Sequence, residues 1–372
     1  MNALNDMLTS VKMMENRMGN GKVIISPIFQ KIQECKEPII IYGAGALGHE
    51  VYNTLYKHHI VPHFFCSGLH SGYIDEATGI KVIGKSDLTA YRDCILIFAI
   101  GDTASKDEKN QLRKDVIEMG FKEELVLNHS CFEEKVSPSF ILDHKREIAD
   151  VFNLLSDEES KKIYLKKLQY MVSYLSVDFE SNQEMYIDDE IIKFNQNEII
   201  IDAGAYSGDT ALLFRKVVGE NAIIYSFEPD KANYTKMIGV INRDSKIHPE
   251  NLGLWKNKDI LCLSDDNNGS SHIQEDGVNK VEVTDLDSFC NERSIVPTYI
   301  KMDIEGVEYE ALEGSKEILK KYYPKLAVCL YHKPEDIFKL PLLIHEINPN
   351  YKFYIRHYSD YRTDTLLYAI PM

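Results

Sequence analysis

Short, uninterrupted apolar runs punctuate this chain, and most of them give way to a polar or glycine-rich turn. In the first half they are Pro38-Ile39-Ile40-Ile41-Tyr42, Val61–Phe65, Lys81-Val82-Ile83 and Cys94–Ile100. In the second half they are Ile199-Ile200-Ile201, Ile223–Phe227, His248–Leu254, Tyr299–Met302 and Leu326–Leu330. Runs without polar alternation suit parallel strands covered on both faces. Between them lie stretches of helical spacing: His49–Tyr56, charged helices within 101–137, Ala232–Asn242 and Ile304–Leu312. Ser156-Asp157-Glu158-Glu159 reads as a capping box ahead of a helix from Asp157 to Leu175, with Ile163, Leu165, Leu168, Met171, Val172 and Leu175 on its apolar face. A short helix is expected over Asp188–Phe194. The tail, Tyr351–Tyr358 and Thr365–Ile370, reads as two closing strands, one of them antiparallel.

Strands alternating with helices predict an α/β chain with two parallel sheets. The expected organisation is an N-terminal helical segment (1–37, broken at Gly19-Asn20-Gly21), a smaller Rossmann-like α/β domain (38–137), a helical connector (138–195) and a larger domain (196–372). The 372 residues allow two cores of ordinary size.

Charge narrows the partners. With 42 basic and 58 acidic residues the formal net charge is −16, which argues against nucleic acid and anionic membrane. No stretch has 18 consecutive apolar residues and no basic flank precedes an apolar run, so neither membrane span nor signal peptide is expected. Seven scattered cysteines without a C-x-x-C pair fit reduced thiols and a cytoplasmic setting, not a zinc site.

Two glycine turns carry the candidate chemistry. Gly43, Gly45 and Gly48 form G-x-G-x-x-G between a strand and a helix, the context for a phosphate at a helix N-terminus. The next strand ends in Ser67, where a dinucleotide enzyme would place an acid. Three readings stay open there: a scaffold or dimer domain, a site for a nucleotide-sugar or other phosphate, and a working NAD site. His49 could face the same phosphate.

The second turn is Asp202-Ala203-Gly204-Ala205-Tyr206-Ser207-Gly208-Asp209-Thr210. A carboxylate in place of the first glycine suits a cationic, hydroxyl-rich ligand such as S-adenosylmethionine. Asp209 and Thr210 are expected to cap the following helix. Glu228, with Pro229, ends the next strand, placed to accept both ribose hydroxyls. Leu252 and Gly253 would lie near the adenine. Candidate cofactor-binding residues are thus Asp202, Gly204, Ala205, Tyr206, Gly208, Asp209, Thr210, Glu228, Pro229, Leu252 and Asp303.

The strand at 299–302 continues into Asp303-Ile304-Glu305-Gly306, so Lys301, Asp303 and Glu305 converge on the carboxyl rim, and the next strand ends there in Tyr331-His332-Lys333-Pro334. A hydroxyl that is to react there is a poor nucleophile until a base takes its proton. His332, at an ordinary pKa near 6.5, is the natural candidate. Asp303 would orient it or take the proton itself, and Lys301 would hold an acceptor hydroxyl or a phosphate. Other readings are a helix N-cap for Asp303, a loop histidine for His332 and a structural partner for Glu308. No metal site is assigned. A divalent cation on Asp303 and Glu305 is the lesser alternative, and Asp265–Ser271 reads as a polar turn.

The segment from about 196 to 372 resembles the FkbM family of S-adenosylmethionine-dependent methyltransferases, on DAGAYSGDT, SFEPD, IKMDIEGVEYEALEG, YHKPEDIFKLP and YKFYIRHYS. That resemblance implies a class I methyltransferase sheet of seven strands and methyl transfer to oxygen, often on sugars or polyketide-type metabolites. Residues 38–100 more loosely resemble Rossmann-like domains of sugar-modifying and sugar-assembling enzymes. The expected function is an O-methyltransferase for a hydroxyl of a carbohydrate, a nucleotide-activated sugar or a related metabolite, with a second copy of the chain as a further partner. The alternatives are an NAD-dependent sugar oxidoreductase using the first turn and a non-catalytic nucleotide-binding module.

Overall fold

The computed structural model describes all residues except 1, 20–26, 35–36, 102–105, 133–134, 174–179, 242–243, 264–272, 275–278 and 360–361. The chain divides into two compact units: 1–143 with 167–178 and 360–362, and 144–166 with 179–359 and 363–372.

The first unit holds a six-stranded sheet built from β1 (Ile39–Tyr42), β2 (Phe64–Ser67), β3 (Tyr73–Ile74), β4 (Lys81–Gly84), β5 (Ile95–Phe98) and β6 (Val126–Asn128). Its order is β3-β4-β2-β1-β5-β6. The β3–β4 pair is antiparallel and the other pairs are parallel. The fully buried strands β1 and β5 are paired neighbours inside the sheet, as their unbroken apolar runs require. β2 begins at Phe64, later than expected, because Pro62 has no N–H for the ladder. Strands β3 and β6 escape sequence reading: two and three residues are too short to show a period. The helix Ala46–Lys57 starts earlier than expected and takes in the third glycine, Gly48.

The second unit is built on seven strands: β7 (Ile199–Ala203), β8 (Ile223–Phe227), β9 (Ile247–Glu250), β14 (Tyr299–Met302), β15 (Lys325–Cys329), β16 (Tyr351–His357) and β17 (Thr365–Pro371). Their order is β16-β17-β15-β14-β7-β8-β9. β17 runs antiparallel to β15 and β16, and the remaining pairs are parallel. A four-stranded sheet in the order β10-β13-β11-β12 joins β10 (Gly253–Leu254), β11 (Asp259–Leu263), β12 (Ile273–Gln274) and β13 (Asn279–Thr284). It corrects the expectation of one strand over His248–Leu254. The chain leaves the main sheet after Glu250, and Gly253–Leu254 pairs with β13.

Three local expectations also change. The helix after the proposed capping box runs Glu158–Val172 and is capped by Asp157, whose Oδ1 accepts the Ser160 N–H at 2.7 Å. The Ser156 hydroxyl instead accepts from the Phe353 N–H, tying the helix start to the sheet. Residues 188–194 hold a single turn at 189–191, not a helix, since the Asp188 carboxylate accepts the Glu190 N–H and competes with a helical ladder. The break at Asn20-Gly21, Asn242 and the polar turn Asp265–Ser271 lie outside the described residues.

Candidate active site

Topology fixes where a ligand can sit. β7 neighbours β14 on one side and β8 on the other, all parallel, so their carboxyl ends open on one rim. A cavity of about 430 Å³ lies there.

The glycine turn after β7 forms its floor. Gly204 has φ +78°, and a Cβ there would stand 1.7 Å from the Asp303 carbonyl oxygen, so only glycine lets the two strand ends meet. Gly208, at φ +89°, supplies the N-cap of the helix Asp209–Val218. Its missing side chain gives room to Met237 and Ile241 of the next helix. The expected caps do other work. The Thr210 hydroxyl donates to Asp202 Oδ2 at 2.7 Å, and Asp209 Oδ1 accepts from the Ser207 hydroxyl at 2.9 Å.

Glu228 follows β8 and is 6% exposed. Its two oxygens accept the Tyr206 N–H (3.0 Å) and the Asp230 N–H (2.8 Å), so one carboxylate closes both the glycine turn and the loop after β8. Burial pushes its pKa up to about 7 against the pull of those two N–H groups. Pro229, Leu252, Gly253, Leu254 and Leu263 line the cavity on this side.

On the β14 side lies a charged core. Lys301 is 1% exposed; its ammonium donates to the Gly204 carbonyl at 2.7 Å and stands 3.2 Å from Asp202 Oδ1. Burial works against that charge, but Asp202 and Asp303 overrule it and raise the pKa. Asp303 accepts two phenolic hydrogen bonds, from Tyr186 to Oδ2 (2.7 Å) and from Tyr331 to Oδ1 (2.8 Å). Burial would raise the Asp303 pKa; Lys301 and His332 outweigh it and hold the carboxyl below its ordinary value. Tyr186, at φ +69°, is tied in place by its N–H donating to the Tyr368 hydroxyl and its carbonyl accepting from Tyr299.

The cavity brings together Gly204, Ala205, Tyr206, Asp209, Thr210, Glu228, Pro229, Leu252, Lys301, Asp303 and Glu305 from the expected set. Three expected residues stand behind the wall. Asp202 is fully buried and, instead of meeting a ligand, neutralises Lys301 beneath the turn. Gly208 serves helix packing. His332 faces Asp303 and Glu305 from the far side, its Nε2 at 3.4 and 3.5 Å from their oxygens and its Nδ1 at 2.9 Å from Glu308. Burial lowers the pKa of that ring, but the carboxylates of Glu308, Asp303 and Glu305 lift it to about 9. The three carboxylates thus favour the protonated ring, which has no lone pair to accept a proton, and so work against the base role expected of His332. Lys301 likewise turns inward, so holding an acceptor is not what its bonds show. Asp303 does not cap the helix Glu308–Glu313, because the Ile304 N–H donates to Glu308 Oε1.

Sequence reading missed Glu184, Met185 and Tyr186, which wall the cavity from the segment before β7, and Leu254 and Leu263 of the small sheet. No local motif marks them. Only the fold carries them to the rim.

The first unit's turn is arranged differently. A Cβ on Gly43 would stand 2.0 Å from the Ala99 carbonyl oxygen, and one on Gly48 2.0 Å from that of Gly43. The Ser67 hydroxyl accepts the N–H groups of Leu69 and His70, and His49 Nε2 lies 3.0 Å from Asp75. Among the described residues no group of three or more His, Cys, Asp or Glu stands as a metal-binding cluster, and no helix is long and apolar enough to cross a membrane.

Residues 202–356 match the methyltransferase FkbM domain. No curated protein matches the chain by sequence. Its fold is similar to that of a methyltransferase FkbM from Methylobacillus flagellatus KT, with TM-score 0.71, 19% identity and 99% of each chain covered. A fibrillarin from Aeropyrum pernix in complex with natively bound S-adenosyl-L-methionine aligns to 48% of this chain and 67% of its own, with 12% identity and TM-score 0.31.

Proposed function

We propose that this methyltransferase, whose residues 202–356 form a methyltransferase FkbM domain, moves the methyl group of S-adenosylmethionine to a hydroxyl oxygen of a carbohydrate. The observation that carries the reading is the pairing, in one cavity, of Glu228 at one end with Asp303 and Glu305 at the other.

The residues fit the donor. A carboxylate at a strand end accepts vicinal hydroxyls, as Glu228 would from a ribose. Leu252, Leu254, Leu263 and Pro229 offer apolar contact to a purine. The bare backbone of Gly204 allows an amino-acid tail to lie close. The carboxylates of Asp303 and Glu305 favour a positive sulfonium. When bound, the donor supplies an electrophilic methyl carbon on that sulfonium.

The chain's own part is positioning and proton removal. Asp303, locked between two tyrosines, keeps 24% of its side chain exposed, so it faces the ligand space without swinging. An acceptor hydroxyl at this end would give up its proton to Asp303 or Glu305, because the carboxylates around His332 favour its protonated ring. A rigid rim holding acceptor and donor in line supplies the proximity term.

Isothermal titration with S-adenosylmethionine tests the donor half. Micromolar binding is expected, and its absence overturns the reading. Mass spectrometry of saccharides incubated with protein and labelled donor tests the acceptor half, with a gain of one methyl group expected.

A further inference from the structure

Behind the β14 rim, three segments bring a buried acid–imidazole cluster together. Glu308 opens the helix Glu308–Glu313, Asp336 opens the helix Asp336–Ile347, and His332 stands in the turn after β15. Glu308 and Asp336 are 1% and 4% exposed. Glu308 Oε1 accepts the Ile304 N–H at 2.9 Å and lies 2.9 Å from His332 Nδ1. The opposite ring nitrogen faces Asp303 and Glu305. Asp336 Oδ2 accepts the Lys333 N–H at 2.7 Å, and the Tyr331 ring packs 4.3 Å from the imidazole.

We propose that Glu308 is a positioning residue that fixes His332 as an imidazolium, and that this cation joins Lys301 in holding Asp303 ionised and draws Glu305 toward the ring where the acceptor enters. Its effect on turnover rests on the methyl-transfer reading; the charge of the ring does not.

The argument is one of charge balance. Four carboxyl groups (Asp303, Glu305, Glu308 and Asp336) crowd one imidazole. Without a cation among them, mutual repulsion would drive some to bind protons and cease to act as acceptors. Asp336 already yields: burial first, then the charge of Glu308, raises its pKa to about 7 against the pull of His332 and of Lys333, the cation next to the ring in sequence. With Lys301, the imidazolium holds the Asp303 carboxyl below its ordinary value on the cavity side, and its charge attracts Glu305 at 3.5 Å. Glu308 also holds the Ile304 N–H, so the acid that sets the charge also fixes the turn carrying Glu305. As pH rises through about 9 the ring loses its proton, and the attraction it contributes goes with it. Lys301 on β14, bound to Asp202 and Gly204, lowers the Asp303 pKa more than the ring does, and the imidazolium adds to it from the opposite side.

The test begins with the ligand-free protein. The His332 Cε1–H resonance, assigned by its absence in His332→Gln, is followed by NMR from pH 5 to 10. A midpoint near 9 is expected in the wild type, falling by a unit or more in Glu308→Gln. The glutamine keeps an oxygen for the Ile304 N–H, so the turn retains its tie. In turnover assays Glu308→Gln loses about threefold or more in kcat at pH 8.5 and less than twofold at pH 6, with donor KM within about twofold. A wild-type midpoint at or below 6.5 overturns the proposal, and so does one unmoved by Glu308→Gln. Equal loss of kcat at every pH reduces Glu308 to packing and also overturns it. Should Glu308→Gln not fold, the wild-type midpoint alone decides. A ring titrating near 9 in a protein that methylates no saccharide would sink the proposed function and leave the charge assignment standing.

Discussion

The chain carries two strand–glycine turn–helix units, and they put their glycines to different use. In the first, Gly43 and Gly48 clear space for carbonyl oxygens of Ala99 and Gly43, so two of the three glycines serve backbone packing. The next strand ends in Ser67, whose hydroxyl caps its own turn. In the second, Gly204 likewise admits a neighbouring carbonyl, that of Asp303, but the next strand ends in a buried carboxylate that ties turn to loop and lines a cavity. A glycine signature therefore reports close backbone approach first. What stands at the end of the following strand decides whether ligand chemistry comes with it.

The sharpest way to break this comparison is Gly204→Ala. A Cβ 1.7 Å from a carbonyl oxygen, at φ +78°, cannot be relieved by a side-chain rotation. A cost of roughly 3 kcal/mol or more is expected, with donor binding falling beyond about 100-fold in calorimetry. Gly43→Ala meets the same kind of obstacle in the first unit. It should lower thermal stability by about 2–4 kcal/mol while leaving donor affinity of the folded protein within about twofold. An equal loss of affinity would show that the turns are not independent.

Glu228→Gln sharpens the contrast at the second strand. Losing a charged acceptor for two hydroxyls should weaken donor binding about 10- to 100-fold. The wild type adds a pH signature. A carboxyl whose folded pKa is raised to about 7 contributes stability below pH 4.5 that is lost as pH rises through 7. Ribose hydroxyls need the ionised form, so donor affinity should strengthen about tenfold from pH 6 to pH 8. Calorimetry across that range checks it, and Glu228→Gln should flatten the slope. The smallest effect belongs to Gly45→Ala. Nothing lies within 4 Å of a Cβ there, and differential scanning should find stability within about 0.5 kcal/mol of wild type.

Much of the site was legible because its parts are local. An apolar run, two glycines, a helix and an acid after the next run are contiguous, so Gly204, Tyr206 and Glu228 can be placed by spacing alone. The seven-strand sheet followed from the family resemblance and stands as expected. The small sheet was not legible. Its four strands are two to six residues long, and their pairing joins segments no period connects. Tyr186 was equally hidden: its role comes from meeting Asp303, 117 positions away.

The sequence by itself determined which residues could bind a cationic, hydroxyl-bearing ligand, since side-chain type and strand–turn spacing suffice for that. Tertiary structure alone decided their states. Asp202 stands as a counter-ion 3.2 Å from buried Lys301, and His332 is ringed by carboxylates that favour its protonated form over the free base. The reason is electrostatic: a pKa depends on burial and on which charges lie within a few ångströms. Here those charges arrive at His332 from residues 303, 305 and 308, brought together only by the packing of β14, β15 and the helix that follows β14.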